Sequence, residues 1–272
     1  MSVNYRQLHF DWKHRAIARV SQRLNFTYTV RHGLAVGMKR RGGLGFLPWE
    51  RRETTETRFL RRLDLTGRTV YDIGAFEGVL TMFFSRQASA VVAWEPNPVS
   101  RARLLTNLRL NAIQNVTVRD VGLSDTCGDA TLVYDPLMPG AASSGAAVTA
   151  QIRDSAPAIR EVGMRIVRLD DDIRDQGLPA PDLIKIDVEG MELSVIRGAE
   201  RTLGIHRPSV YVELHGAEDA DKRENARAVA SALWDLGYCD LLNLGAGEPV
   251  TPSTIGRPAR LFCRPAEPRW NA

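Results

Sequence analysis

The sequence predicts a doubly wound α/β fold built on a mostly parallel sheet. Three observations predict it. Between Thr69 and Leu214, short apolar runs of strand length alternate with helical segments, which is the rhythm of βαβ units. Glycines and acidic residues gather where those runs stop, and ligands of such sheets bind at the carboxyl ends of the strands. With 272 residues, 44% hydrophobic and 25% charged, the chain is long enough to bury a core without disulfide or metal staples.

Taken in order, residues 1–52 read as a basic, mostly helical extension and residues 53–272 as the α/β domain. Leu8, Trp12, Ile17, Val20 and Leu24 recur at helical spacings over residues 5–24, with Arg and Lys between them. Residues 1–52 hold eleven basic against two acidic side chains, whereas the rest of the chain holds 25 against 30. Such an arm can pack on the main domain, lie on an anionic membrane surface, or meet nucleic acid or an acidic partner. Gly42, Gly43, Gly45 and Pro48 mark a connector. A short helix capped by Thr54 or Thr55 is expected over residues 54–63. Strands are expected over 69–73, 90–94, 116–118, 131–134, 165–169, 182–187, 209–214, 238–242 and 260–263. Helices are expected over 79–87, 98–111, 191–203 and 219–236, with a short acidic one after residue 169. Residues 136–145, small and polar, read as a loop over the acceptor.

No apolar run approaches the ~20 residues that cross a bilayer, and the first residues lack the apolar core of a signal peptide. Cys127, Cys239 and Cys263 form no C-x-x-C pair, which argues against a zinc ribbon. They read as three buried thiols in a reducing cytoplasm, so the expected location is cytoplasmic, peripheral to the membrane if the basic arm docks there.

The chemistry lies at the strand ends. The first strand runs into Asp72-Ile73-Gly74-Ala75-Phe76-Glu77-Gly78, where Gly74 allows a tight turn and close approach of a ligand. The loop lacks the G-x-G-x-x-G triplet, which argues against a nicotinamide dinucleotide. Asp72 and Glu77 would repel a pyrophosphate and suit an ammonium or sulfonium instead. Glu95, 23 residues after Asp72 at the end of the second strand, is placed to accept from two ribose hydroxyls. Asp120, after the third strand, can accept from an adenine amino group or cap a turn. Lys185 sits inside an apolar strand, where a charge must be paired or reach an opening. Asp187, Glu189, Glu213 and His215 then fall at two successive strand ends.

These segments resemble the FkbM family of S-adenosylmethionine-dependent methyltransferases over about residues 69–216. The resemblance rests on YDIGAFEG, WEPNP, NLRLNAIQNVTV, GLSD, DLIKIDVEGMEL with VIRGA, and RPSVYVELHG. It implies a seven-stranded, Rossmann-like methyltransferase sheet, S-adenosylmethionine as cofactor, and methylation of oxygen on sugars, polyketides or lipid-linked glycans. Carried over by position, Gly74 and Gly78 would border the methionine end, Glu95 the ribose and Asp120 the adenine, with Asp72, Ala75 and Asp187 also in the cofactor site. The chain departs from the family at Phe76, usually Asn, and at Gly122, usually Ala.

An alcohol is a poor nucleophile at neutral pH and needs a base. His215 is the natural choice, since free imidazole titrates near about 6.5, with Glu213 or Asp187 orienting it. A divalent metal held by Asp187, Glu213 and His215 is the second possibility. The alternatives for the whole protein are a catalytically weak cofactor-binding scaffold and a nucleic-acid methyltransferase, the latter without an Asn-Pro-Pro-aromatic motif to support it.

Overall fold

The computed structural model describes residues 26–42, 54–136, 138–156, 158–256 and 260–266. The helix expected over residues 5–24 lies outside them. In chain order the strands are β1 (Thr27–Thr29), β2 (Lys39–Arg41), β3 (Thr69–Ile73), β4 (Ala90–Trp94), β5 (Val116–Arg119), β6 (Gly122–Leu123), β7 (Gly128–Asp135), β8 (Met138–Ser143), β9 (Arg160–Val167), β10 (Leu183–Ile186), β11 (Ser209–Glu213), β12 (Asp240–Asn243), β13 (Glu248–Val250) and β14 (Arg260–Arg264). The helices are α1 (Thr55–Leu60), α2 (Val79–Ser85), α3 (Pro98–Leu110), α4 (Ala146–Ser155), α5 (Leu169–Gln176), α6 (Glu192–Arg197), α7 (Glu200–His206) and α8 (Asp219–Asp235).

The central sheet has the order β13-β12-β14-β11-β10-β3-β4-β5. From β5 through β11 every neighbour is parallel, and β14 and β13 run antiparallel to their neighbours. The doubly wound prediction holds, with β13 adding an eighth strand at the edge. The strand order reverses between β3 and β10, which puts the ligand crevice at their carboxyl ends.

Burial on both faces explains why the central strands are apolar throughout. Tyr71, Ile73, Ile184, Ile186, Val210 and Val212 point to one face, against Val195, Leu203, Val229 and Leu233 of α6, α7 and α8. Val70, Leu183 and Tyr211 point to the other, against Leu60 of α1 and Phe83 and Phe84 of α2. The same alternation puts Asp72 and Lys185 on that second face. The register pairs them directly across the β3–β10 ladder. This answers the question that the buried lysine raised.

Local chemistry sets the helix ends. Thr54 accepts from the Thr57 N–H at 3.0 Å, and Asn97 from the Val99 N–H at 3.0 Å with Pro98 in the first turn. The single helix expected over 191–203 is broken in two at Gly198. A Cβ there would stand 2.0 Å from the Ser124 carbonyl oxygen, so the chain is pressed against a neighbouring loop.

Between β5 and β10 a second sheet is inserted, in the order β6-β9-β7-β8. Here the sequence reading needs correction. Most of the stretch expected to be a loop over 136–145 is strand β8, and α4 follows it. Strand β9 starts at Arg160 and ends at Val167, leaving Leu169 to open α5. Of the cysteines only Cys263 is buried; Cys127 and Cys239 are exposed.

The described part of the N-terminal extension is a β-hairpin. Residues 26–42 fold as β1 against β2 and dock on α3, with the Lys39 and Arg41 N–H groups donating to Asn111 and Asn107 at 2.8 Å each. No helix among the described residues is long and apolar enough to cross a membrane.

Candidate functional site

The site begins with the glycine loop. Gly74 has φ 77°, and a Cβ there would meet the Asp187 carbonyl oxygen at 1.8 Å. Only glycine lets the loop after β3 lie this close to the end of β10. The Gly74 and Ala75 N–H groups both donate to the Trp94 carbonyl at 3.0 Å, which ties the loop to the end of β4.

Lys185 fastens it from the other side. Its ammonium donates to the carbonyls of Gly74 at 2.7 Å and Ile73 at 3.3 Å. It lies 3.1 Å from Asp72 Oδ1 and 3.5 Å from Asp187 Oδ2. Burial would discharge the amine, but Asp72 and Asp187 outweigh burial and hold it charged. Asp72 Oδ2 accepts from the Thr81 hydroxyl at 2.5 Å.

Glu77 turns away from the crevice. It is buried and held by Arg40 of β2 at 2.6 Å and by Arg103 of α3. Both carboxylates that the sequence offered to a cationic ligand are therefore neutralised inside the protein. Neither is a free counter-charge.

Glu95 stands beside the loop, 7% exposed. Its Oε2 accepts from the Phe76 N–H at 2.7 Å and its Oε1 from the Asn97 N–H at 2.8 Å. Burial pushes its pKa up to about 7, although both N–H donors act in the opposite direction. A carboxylate offers about four lone-pair sites, so two remain for a ligand diol. Phe76 sits at φ 52°, a left-handed conformation that glycine and asparagine adopt more readily. Asp120 is exposed, just past the end of β5.

The second half of the site gathers at the ends of β10 and β11. His215 Nε2 lies 3.7 Å from Asp187 Oδ1, 3.7 Å from Glu189 Oε2 and 4.0 Å from Glu213 Oε1. Its Nδ1 is 3.0 Å from Glu192 Oε1. Glu192 was not picked out in the sequence, because an acid in a first helical turn is commonplace. It is fully buried, and its other partners are the Gly190 N–H at 2.9 Å and the Asn225 amide at 2.7 Å.

Burial alone would lower the His215 pKa. The Glu192 hydrogen bond and the charges of Glu189 and Asp187 overcome it and raise the imidazole to about 10. The expectation of a free base near 6.5 therefore fails in this cluster, where His215 carries a proton. Burial raises Glu189 to about 7 despite His215 beside it. Glu213 is gripped by the Arg260 guanidinium at 2.8 and 3.1 Å, which diverts it from the histidine.

The inserted segment closes over this cluster. The Ser143 hydroxyl donates to the Glu189 carbonyl at 2.8 Å and accepts from the Gly145 N–H at 3.0 Å. Gln151 of α4 reaches the Ala217 carbonyl at 3.3 Å. A Cβ on Gly190 would stand 2.9 Å from Val148, so α4 lies directly against the loop after β10.

A sequence profile described as the methyltransferase FkbM domain matches residues 72–239, which takes in both halves of the site. The chain belongs to the FkbM methyltransferase family. It is 31% identical over 155 residues to methyltransferase sdnD of Sordaria araneosa, covering 48% of this chain and 60% of that protein. It is 29% identical over 183 residues to the 31-O-demethyl-FK506 methyltransferase FkbM of Streptomyces tacrolimicus, covering 57% of this chain and 68% of that one. The hexuronic acid methyltransferase AglP of Haloferax volcanii is 29% identical over 150 residues, covering 55% of this chain and 57% of that one. Among solved structures, methyltransferase FkbM of Methylobacillus flagellatus superposes with a TM-score of 0.51 at 18% identity. That superposition covers 78% of this chain and 48% of that chain, and it supports the same α/β fold. The FkbM-family chain thus spans 60% of its sdnD relative.

Proposed function

We propose that this FkbM-family protein transfers a methyl group from S-adenosylmethionine to a hydroxyl oxygen of a sugar-like or polyketide-like acceptor. The observation that carries the reading is the joining of two half-sites through one contact, Gly74 against the Asp187 carbonyl. On one side lie the glycine loop and Glu95, whose free lone pairs suit the ribose hydroxyls. Gly74, Ala75 and Gly78 border the methionine end, Asp120 stands towards the adenine, and Lys185 with Asp72 holds the loop in shape. On the other side lies the polar cluster of Asp187, Glu189, Glu213 and His215, beneath α4.

In the reaction the S–CH3 bond breaks as the acceptor C–O–CH3 linkage forms. The acceptor gives up its proton and the cofactor leaves as the neutral thioether. The protein's main contribution is alignment of oxygen, methyl and sulfur, which is worth roughly 7–11 kcal/mol in favourable cases. With His215 already protonated in the free protein, the carboxylates around it are the local proton acceptors. The acceptor class is argued from the relatives: one is named for a hexuronic acid and another for a demethylated FK506.

Thermal unfolding with S-adenosylhomocysteine and NAD in parallel is the first test. A ligand at 100 times its Kd stabilises by about 2.7 kcal/mol, a midpoint shift of roughly 5–10 °C for a domain of this size. A shift with the adenosyl ligand alone supports the reading and justifies an acceptor screen with methyl-labelled cofactor. A shift with NAD alone, or with neither, overturns it.

A further inference from the structure

The polar cluster at the ends of β10 and β11 has a geometry that hydrogen bonding within the protein does not use up. The three carboxylates nearest His215 Nε2 stand at 3.7, 3.7 and 4.0 Å, all beyond hydrogen-bonding distance. Yet the ring is fixed from behind. Its Nδ1 meets the fully buried Glu192, whose second oxygen is held by Asn225 at 2.7 Å. Asn225 also donates to the His215 carbonyl at 2.8 Å. A buried carboxylate on one imidazole nitrogen orients the other nitrogen, which is the usual support for a metal-ligating histidine.

The carboxylates divide their labour in the same sense. Asp187 gives Oδ2 to Lys185, leaving Oδ1 towards the histidine. Glu189 Oε2 faces the same nitrogen. Glu213 is taken by Arg260 through two hydrogen bonds. One atom each from Asp187, Glu189 and His215 can be chosen so that all lie within 4.8 Å of one another.

Resting on the reading of this cluster as the acceptor side of a methyl-transfer site, we propose that Asp187, Glu189 and Nε2 of His215 bind one divalent cation of the Mg2+ or Mn2+ class. Two carboxylate oxygens and one imidazole favour these ions over thiophilic metals. Neighbouring ligands of an octahedral ion at about 2.1 Å lie about 3 Å apart. The two 3.7 Å spacings to Nε2 close to that value by movements of about 0.7 Å, and the Asp187 and Glu189 oxygens, within 4.8 Å of each other, by up to about 2 Å. Three protein ligands leave positions for the acceptor hydroxyl and for a second acceptor oxygen. Binding of the cation displaces the Nε2 proton and occupies Asp187 and Glu189, so the bound hydroxyl, acidified by the cation, gives its proton to water instead of to these carboxylates, and the oxygen then takes the methyl group from the sulfonium. The preferred acceptors are those with an oxygen next to the reacting hydroxyl, such as uronic acids, hydroxy acids and vicinal diols. The sequence-based ligand set changes by one member, with Glu189 replacing Glu213.

The test is calorimetric titration of Mn2+ into the full chain stripped with chelator, with and without saturating S-adenosylhomocysteine. The expected result is one Mn2+ per chain. Its affinity falls at least tenfold in Glu189→Gln, about 10–100-fold in Glu192→Gln, and stays unchanged in Glu95→Gln. S-adenosylhomocysteine affinity, measured on the same Glu189→Gln and Glu192→Gln samples, certifies that they are folded. Absence of a stoichiometric Mn2+ site in a chain that binds S-adenosylhomocysteine overturns this inference and leaves the methyl-transfer reading standing. Equal Mn2+ affinity in all three variants also overturns it. A chain that binds neither ligand overturns both.

Discussion

Glu95 offers the most quantitative test of the cofactor half-site. It is 7% exposed, and burial raises its pKa to about 7, against 4.5 for a free glutamate. The ionised form keeps the Phe76 and Asn97 N–H bonds with two acceptor sites to spare for a diol, whereas protonation turns one of those sites into a donor. At pH 8 about nine tenths of Glu95 is ionised, and at pH 6 about one tenth. Dividing the intrinsic Kd by the competent fraction gives about tenfold weaker binding of S-adenosylhomocysteine at pH 6 than at pH 8. Stability runs the other way. A carboxylate whose folded pKa lies above its unfolded one costs stability as pH rises between the two values. The window is therefore pH 4.5 to 7, and the loss above it is about 3 kcal/mol at most. Calorimetry at pH 6, 7 and 8 measures the binding, with Glu95→Gln as the control. The variant binds more weakly at pH 8, because an amide leaves one of the two N–H donors facing another donor. Its residual pH dependence isolates Glu189, which also lies near 7. Wild-type affinity that is flat from pH 6 to 8, or higher at pH 6, would refute the reasoning.

Two further outcomes follow from the same loop. Lys185→Met leaves Asp72 buried without its counter-ion and is expected to cost about 3–5 kcal/mol; chemical denaturation measures it, and an unchanged midpoint would contradict the assigned role. Phe76→Asn relieves a left-handed bulky residue at φ 52° and is expected to gain about 1 kcal/mol, or roughly 2–4 °C in Tm; a lower Tm would mean that packing of the phenyl ring outweighs the backbone strain.

The central sheet was legible because its two patterns are local. Apolar runs of strand length mark β3, β4, β10 and β11, and an acid or glycine ends or follows each. The positions of Glu95, Asp187 and His215 at strand ends follow from that alone. Partnership is another matter, because it depends on contacts distant in sequence. Nothing near Glu77 says that Arg40, 37 residues earlier, will claim it. Nothing near Glu213 announces Arg260, 47 residues later. The charge of His215 was misjudged for the same reason. A model-peptide value takes no account of three carboxylates, Asp187, Glu189 and Glu192, converging from the end of β10 and from α6. Strand β8 escaped notice because Pro139 and Gly140 read as breakers; an edge strand tolerates both, since one side of its ladder is unpaired.

The hairpin at residues 26–42 carries a consequence for protein engineering. Its Arg40 reaches Glu77 in the glycine loop after β3, and its backbone is moored to Asn107 and Asn111 of α3. The segment matched by the family profile begins only at residue 72. A chimera that transplants the family segment onto a foreign leader therefore discards one of the two guanidinium groups that neutralise Glu77. It leaves the buried Glu77 carboxylate behind the glycine turn with Arg103 as its remaining guanidinium partner. Leader and glycine loop form one cassette, and exchange between homologues should cut before Phe26 rather than at the edge of the recognisable domain.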